Sequence, residues 1–190
     1  MNIIFISFLL VALGEMGDKT QLLAFSLAAR FRDRWSIMAG ILVATVLNHA
    51  LASSLGAWMA ERISPSFLSG AVGVSFLLFG VWALKPDRFE ETERPTRFGT
   101  FVTTASLFFL AEIGDKTQLA TAALAAKYQS VLFVTVGTTL GMLASDGLAV
   151  FFGEKFSERV QTQWIRRTAA GLFFLFGIFS LFAAATRRGG

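Results

Sequence analysis

Two short runs of this sequence concentrate side chains able to hold a metal ion. Glu15 to Gln21 reads EMGDKTQ, and Glu112 to Gln118 reads EIGDKTQ. In each run a glutamate and an aspartate stand three residues apart, Glu15 with Asp18 and Glu112 with Asp115. On a helix such a pair shares one face. Gln21 and Gln118 fall about 60° further round, still next to that face. Carboxylate and amide oxygens are the ligands of hard divalent ions such as Ca²⁺, Mg²⁺ and Mn²⁺. With no cysteine and one histidine in the chain, a zinc or copper centre is disfavoured.

The surroundings make these charges expensive. The chain has 190 residues, of which 54% are hydrophobic and 16% charged. Soluble domains run at about 25% charged, and here the charges crowd into gaps between long apolar stretches. This excludes a disordered chain and argues against a soluble enzyme. Both charged runs, however, lie inside apolar stretches. An intramembrane charge costs roughly 2.5–3.5 kcal/mol on insertion scales, so four carboxylates and two ammonium groups carry about 15–20 kcal/mol before pairing. Lys19 and Lys116 can neutralise two acids and pin helices together. Two carboxylates are then left over, a formal charge of −2 that matches a divalent cation.

Six apolar stretches must position these groups: approximately Ile3 to Ala29, Ser36 to Ala60, Phe67 to Leu84, Thr100 to Ala126, Val131 to Gly153 and Ile165 to Ala185. Each approaches or exceeds the 18 residues of a spanning segment, and backbone facing lipid must satisfy itself, so helices are predicted. Pro65, Pro86 and Pro95 all fall in the gaps. The N-terminal stretch has no basic flank and no small-residue cleavage site, and reads as a retained first helix. Alternate loops carry eleven Lys and Arg on one side and four on the other. By the positive-inside rule the richer side is cytoplasmic and both termini face outward. The net charge of +4 is explained by membrane orientation, and no nucleic-acid partner is expected. Trp35 and Trp164 fit interfacial anchors.

The two charged runs belong to a larger repeat. Glu15 to Arg30 and Glu112 to Lys127 agree at ten of sixteen positions, at an offset of 97. The same offset superposes Gly40 on Gly137 and Phe76–Gly80 (FLLFG) on Phe173–Gly177 (FFLFG). The predicted fold is therefore an all-α integral membrane protein of six transmembrane helices in two three-helix repeats. Residues 1–84 form the first, 85–98 a polar cytoplasmic linker, and 99–190 the second. Three is odd, so the repeats are inverted about an axis in the membrane plane, an arrangement typical of secondary transporters with midplane sites.

Other residues have two readings each. Gly17 and Gly114 serve either close helix packing or local unwinding that frees carbonyls for an ion. Thr20 and Thr117 bond backbone or line the path. Asn48 and His49 in one repeat correspond to Ser145 and Asp146 in the other. Asp146 reads as an accessory ligand or proton carrier, His49 as a hydrogen-bonded packing residue or a proton relay. Met16 is a thioether ligand or packing.

The duplicated E-x-G-D-K-T motif in two three-helix halves resembles the membrane cation/proton exchangers that include Golgi manganese and calcium transporters and bacterial manganese exporters. The resemblance implies that Glu15, Asp18, Glu112 and Asp115 form the cation site, with Lys19, Thr20, Lys116 and Thr117 completing the motifs. For a small chain of this kind it implies Mn²⁺ export across a bacterial inner membrane in exchange for protons, with no cofactor beyond the transported ion. Spacing alone does not separate Mn²⁺ from Ca²⁺. A Ca²⁺/H⁺ antiporter, a cation channel and a membrane-embedded metal-dependent hydrolase are the alternatives, the last lacking an evident nucleophile.

Overall fold

The computed structural model describes residues 2–85, 98–159 and 162–186. Most of the expected linker at 85–98 lies outside the described residues, as do Arg187 and Arg188. The described residues form eight helices and no strand: α1 Ile3–Glu15, α2 Lys19–Phe31, α3 Arg34–Ala60, α4 Pro65–Ala83, α5 Thr100–Glu112, α6 Lys116–Tyr128, α7 Val131–Arg159 and α8 Thr162–Thr186. Four of them, α3, α4, α7 and α8, contain segments long and apolar enough to cross a membrane.

The first and fourth apolar stretches, expected as continuous helices, are each split in two. Their halves have 13 residues apiece, about 20 Å at 1.5 Å per residue, too short to span a core of about 30 Å singly. The cause of the split is local. Gly17 and Gly114 adopt φ of 80° and 77°, the left-handed region that a helix cannot include and that glycine enters without a Cβ penalty. Met16 at φ −64°, ψ 116° and Ile113 at φ −62°, ψ 117° precede them. The Asp18 N–H donates to the Glu15 carbonyl at 3.0 Å, and Asp115 N–H to Glu112 at 3.1 Å. Each E-x-G-D is thus a type II turn with glycine at its third position. The helix then restarts with an aspartate at the N-cap position, Asp18 or Asp115; the Asp18 side chain accepts from the Lys19 N–H, whereas that of Asp115 makes no cap bond.

Packing repeats across the 97-residue offset. Helix α1 lies on α7, and α5 on α3. At these crossings a Cβ on Gly40 would meet Thr104 and the Phe101 carbonyl at 2.8 and 2.9 Å, and one on Gly137 would meet Ser7 and the Ile4 carbonyl at 2.8 and 2.5 Å. Glycine here lets the backbones approach. Helices α4 and α8 pair through Phe76, Phe79, Phe173 and Phe176, with ring centroids 4.6–6.4 Å apart. The repetition is incomplete. Helix α4 packs on α6 and α8 on α1, whereas the corresponding pairs, α8 with α2 and α4 with α5, make at most marginal contact. One apolar core accordingly joins α1, α6, α4 and α8 around Leu10, Leu124, Phe76 and Phe173. A second joins α2, α5, α3 and α7 around Leu27, Phe108, Ile41 and Met142 without α4 or α8.

Candidate cation site

The two breaks meet in the interior. Glu15 and Glu112 end α1 and α5, and Asp18 and Asp115 begin α2 and α6. All four are buried, none more than 4% exposed. Two helix N-termini, the positive ends of their dipoles, therefore face the acids, while the C-terminal ends of α1 and α5 bring carbonyl-rich negative ends to the same place. One carboxylate oxygen from each of Glu15, Glu112 and Asp115 lies within 4.8 Å of the other two. Glu15 Oε1, Glu112 Oε1 and Asp115 Oδ2 have no hydrogen-bond partner. Three convergent carboxylates, each with one oxygen that has no donor, fit a hard cation, since buried carboxylates otherwise need compensating positive charge.

Asp18 is placed differently. Its Oδ1 accepts from the Lys19 backbone N–H at 2.8 Å, and its Oδ2 stands 2.8 Å from Lys116 Nζ, the lysine side chain being 4% exposed. The corresponding pair, Lys19 Nζ with Asp115 Oδ1, is longer at 3.5 Å, and the Lys19 side chain is 32% exposed. Both ion pairs cross from one repeat to the other.

The threonines and glutamines of the motifs also act in matching ways. Thr20 Oγ1 donates to Glu15 Oε2 at 2.6 Å, and Thr117 Oγ1 to Glu112 Oε2 at 3.3 Å. Each hydroxyl fixes one glutamate oxygen, and the other has no hydrogen-bond partner. Gln21 and Gln118, expected as oxygen ligands, each turn the side-chain carbonyl back to the broken backbone. Gly17 N–H donates to Gln21 Oε1 at 2.8 Å, and Gly114 N–H to Gln118 Oε1 at 2.7 Å. Their amide nitrogens reach the next long helix. Gln21 Nε2 donates to the carbonyl and hydroxyl of Ser145, and Gln118 Nε2 to Asn48 Oδ1 at 3.3 Å. Asn48 in turn donates to the Phe109 carbonyl at 3.1 Å. Each glutamine thus ties a turn to α7 or α3. Ser145 as the anchor for Gln21 was readable only through the offset that pairs it with Asn48.

Asp146 and His49, both fully buried, lie on those same long helices. Asp146 is close enough to interact electrostatically with Glu15, Asp18 and Glu112, and neither of its oxygens has a partner. Neither ring nitrogen of His49 has one. Met16 is part-buried at the first turn, opposite Ile113 at the second, which is exposed.

This geometry can be set beside known proteins. The family profile described as "Divalent cation/proton antiporter GDT1" matches residues 3–91 and again 100–188. A Vibrio cholerae protein named "Putative manganese exporter" is 44% identical over 183 residues, 96% of this chain and 92% of that one. The GDT1-like protein sll0615 of Synechocystis is 28% identical over 90% of this chain and 93% of its own length. GDT1-like protein 4 of Oryza sativa subsp. indica is 30% identical over 90% of this chain and 69% of its own. No solved structure matches. The family transports cations, so the divalent ion is a substrate, not a cofactor, and the hydrolase alternative falls away. An integral membrane chain whose two matching halves bring buried carboxylates together belongs to the GDT1 family of divalent cation/proton antiporters.

Proposed function

We propose that this protein exports Mn²⁺ from the cytoplasm of a bacterial cell in exchange for protons, across the inner membrane. The observation that carries the reading is the convergence of Glu15, Glu112 and Asp115 at the junction of two broken helices. Half-helices meeting at a buried site are the device by which many transporters present helix ends to ions. The relative from Vibrio cholerae supports manganese as the cargo.

In this reading each broken pair acts as one span, so six spans form two inverted three-helix repeats. The reciprocal bonds of Gln21 and Gln118 and the reciprocal ion pairs of Lys19 and Lys116 are what a two-fold relation between halves produces. Both termini lie outside, and the linker lies in the cytoplasm, on the side richer in Lys and Arg. Helices α1 and α6 then form the outer half of the pathway and α2 and α5 the inner half. The packing of α4 and α8 against α1 and α6, but not against α2 and α5, supports a state closed outward and accessible from the cytoplasm. Rocking α4 and α8 towards α2 and α5 would reverse the access.

Glu15, Glu112 and Asp115 hold the ion, with Asp18 as the fourth acid of the cluster. Gln21 and Gln118 each keep one oxygen lone pair beside the site, and Thr20 and Thr117 orient the glutamates. Asn48 steadies the second turn. Asp146, next to the acids but bonded to none, carries a proton, with His49 as its counterpart in the other repeat. Carboxylates bind metal only when deprotonated, so metal and protons compete for the same groups. Purified protein in liposomes with a fluorescent Mn²⁺ reporter inside tests the reading. A proton gradient should drive Mn²⁺ flux in the opposite direction and Ca²⁺ flux less well. Preferential Ca²⁺ movement would reassign the cargo. Flux indifferent to the gradient at clamped potential would replace antiport by a channel.

A further inference from the structure

The two motifs are identical at their Lys and Asp positions, yet the structure gives the two lysines unequal surroundings. Lys116 Nζ is held 2.8 Å from Asp18, on a side chain 4% exposed. Lys19 Nζ stands 3.5 Å from Asp115, on a side chain 32% exposed. The acid that Lys19 meets is one of the three whose oxygens converge, and the acid that Lys116 holds is not. Asp115 thus faces Lys19 through Oδ1 and the Glu15–Glu112 cluster through a carboxylate that has an unpartnered Oδ2.

We infer that Lys19 is a displaceable internal cation: its ammonium balances Asp115 in the empty site, and an arriving divalent ion pushes it outward, while Lys116 stays locked on Asp18. The inference rests on the cation-site reading above. A long ion pair with one partner a third exposed is cheap to break, because water receives the released ammonium. A short pair with both partners buried is not, because its rupture strands two charges in a medium of low dielectric. Lys19 begins α2 with its side chain a third exposed, so the ammonium has somewhere to go. Lys19 is a positioning residue in this scheme. It keeps three neighbouring carboxylates from repelling one another in the absence of metal, and sets how tightly metal binds by competing with it.

The test uses the full chain in nanodiscs with Mn²⁺ as the probe. Acylation of lysines, read by mass spectrometry, should increase at Lys19 when Mn²⁺ is added, while Lys116 stays protected. Lys19→Gln should tighten Mn²⁺ binding by roughly three- to tenfold, the range of a weak to moderate ion pair. Lys19→Arg, which keeps the positive charge, should bind as the unmodified protein does. Unchanged or weaker binding by Lys19→Gln, or Lys19 reactivity indifferent to Mn²⁺, overturns the inference. If the unmodified protein binds Mn²⁺ and Glu112→Gln does not, that failure leaves the cation site standing. Absence of any Mn²⁺ binding by the unmodified protein removes both.

Discussion

Lys116 Nζ lies 2.8 Å from Asp18 Oδ2, an ion pair that joins the start of α6 to the start of α2 with both partners buried. Removing one member takes the ion-pair partner from the other's buried charge, which costs about 3–5 kcal/mol at buried sites. Lys116→Met should therefore lower thermal stability sharply, followed through the fluorescence of the four tryptophans. Adding Asp18→Asn should restore much of that loss, because no lone charge remains. A double variant no better than Lys116→Met would show that the pair does not act as a unit.

The turns are equally exposed to test. Gly114 has φ of 77°, and a Cβ placed there would meet nothing within 4 Å. Its need for glycine is therefore conformational, and Gly114→Ala should cost about 1–2 kcal/mol through left-handed strain alone. Gly114→Asn should be milder, since asparagine tolerates that region. Both are read by thermal unfolding in detergent. Equal, negligible costs would mean that the backbone can straighten into a continuous helix without harm.

Much of this was legible in the residues. The 97-residue repeat and the E-x-G-D-K-T-Q runs pointed to the four acids of the two motifs, because a duplicated intramembrane charge has few other uses; three of them, Glu15, Glu112 and Asp115, converge, while Asp18 is held by Lys116. The helix breaks were half legible. Glycine serves both close packing and left-handed turns, so Gly17 and Gly114 admitted two readings, and the open space beside Gly114 decides for the turn. A further signal was present: aspartate followed three residues later by glutamine is close to a capping box. That pattern foretells Gln21 and Gln118 bonding to the turn backbone, a role the composition of the motif had suggested for metal instead. The inequality of Lys19 and Lys116 was not legible at all. Both stand in the same G-D-K-T-Q run, while the half-helices they begin are packed differently, α6 against α4 but α2 at most marginally against α8.

Lys127 marks the covered side. Its Nζ donates to Ser180 Oγ at 2.6 Å and lies 3.9 Å from the Phe176 ring centroid, tying the end of α6 to α8. The corresponding residue, Arg30, lies over Phe31 on its own helix instead. Lys127→Met removes both the hydrogen bond and the ring contact and should lower the melting temperature in detergent, by about 1–2 kcal/mol of stability. An unchanged melting temperature would mean that these contacts do not tie α6 to α8. The same variant should speed transport steps that require the covered side to open.

Coupling to protons makes the most demanding claim on the site. Glu15, Glu112, Asp115 and Asp146 are buried together, and of these four Asp115 is the one in a salt bridge with a lysine of the opposite motif, at 3.5 Å from Lys19. Metal binds the ionised carboxylates, so its arrival releases whatever protons they hold, and its apparent affinity must fall as pH drops, by about tenfold per pH unit for each proton exchanged. Acidifying the outside of vesicles loaded with Mn²⁺ should then accelerate its exit. If these oxygens are the ligands, Glu15→Gln combined with Glu112→Gln should abolish binding and flux together. Asp146→Asn separates the roles. Its oxygens lie beside the cluster but bond to nothing, so if Asp146 carries the proton, the variant should still bind Mn²⁺ while flux no longer responds to the gradient. Loss of binding in Asp146→Asn would make it a ligand, and the protons would then be those displaced from the metal-binding acids themselves.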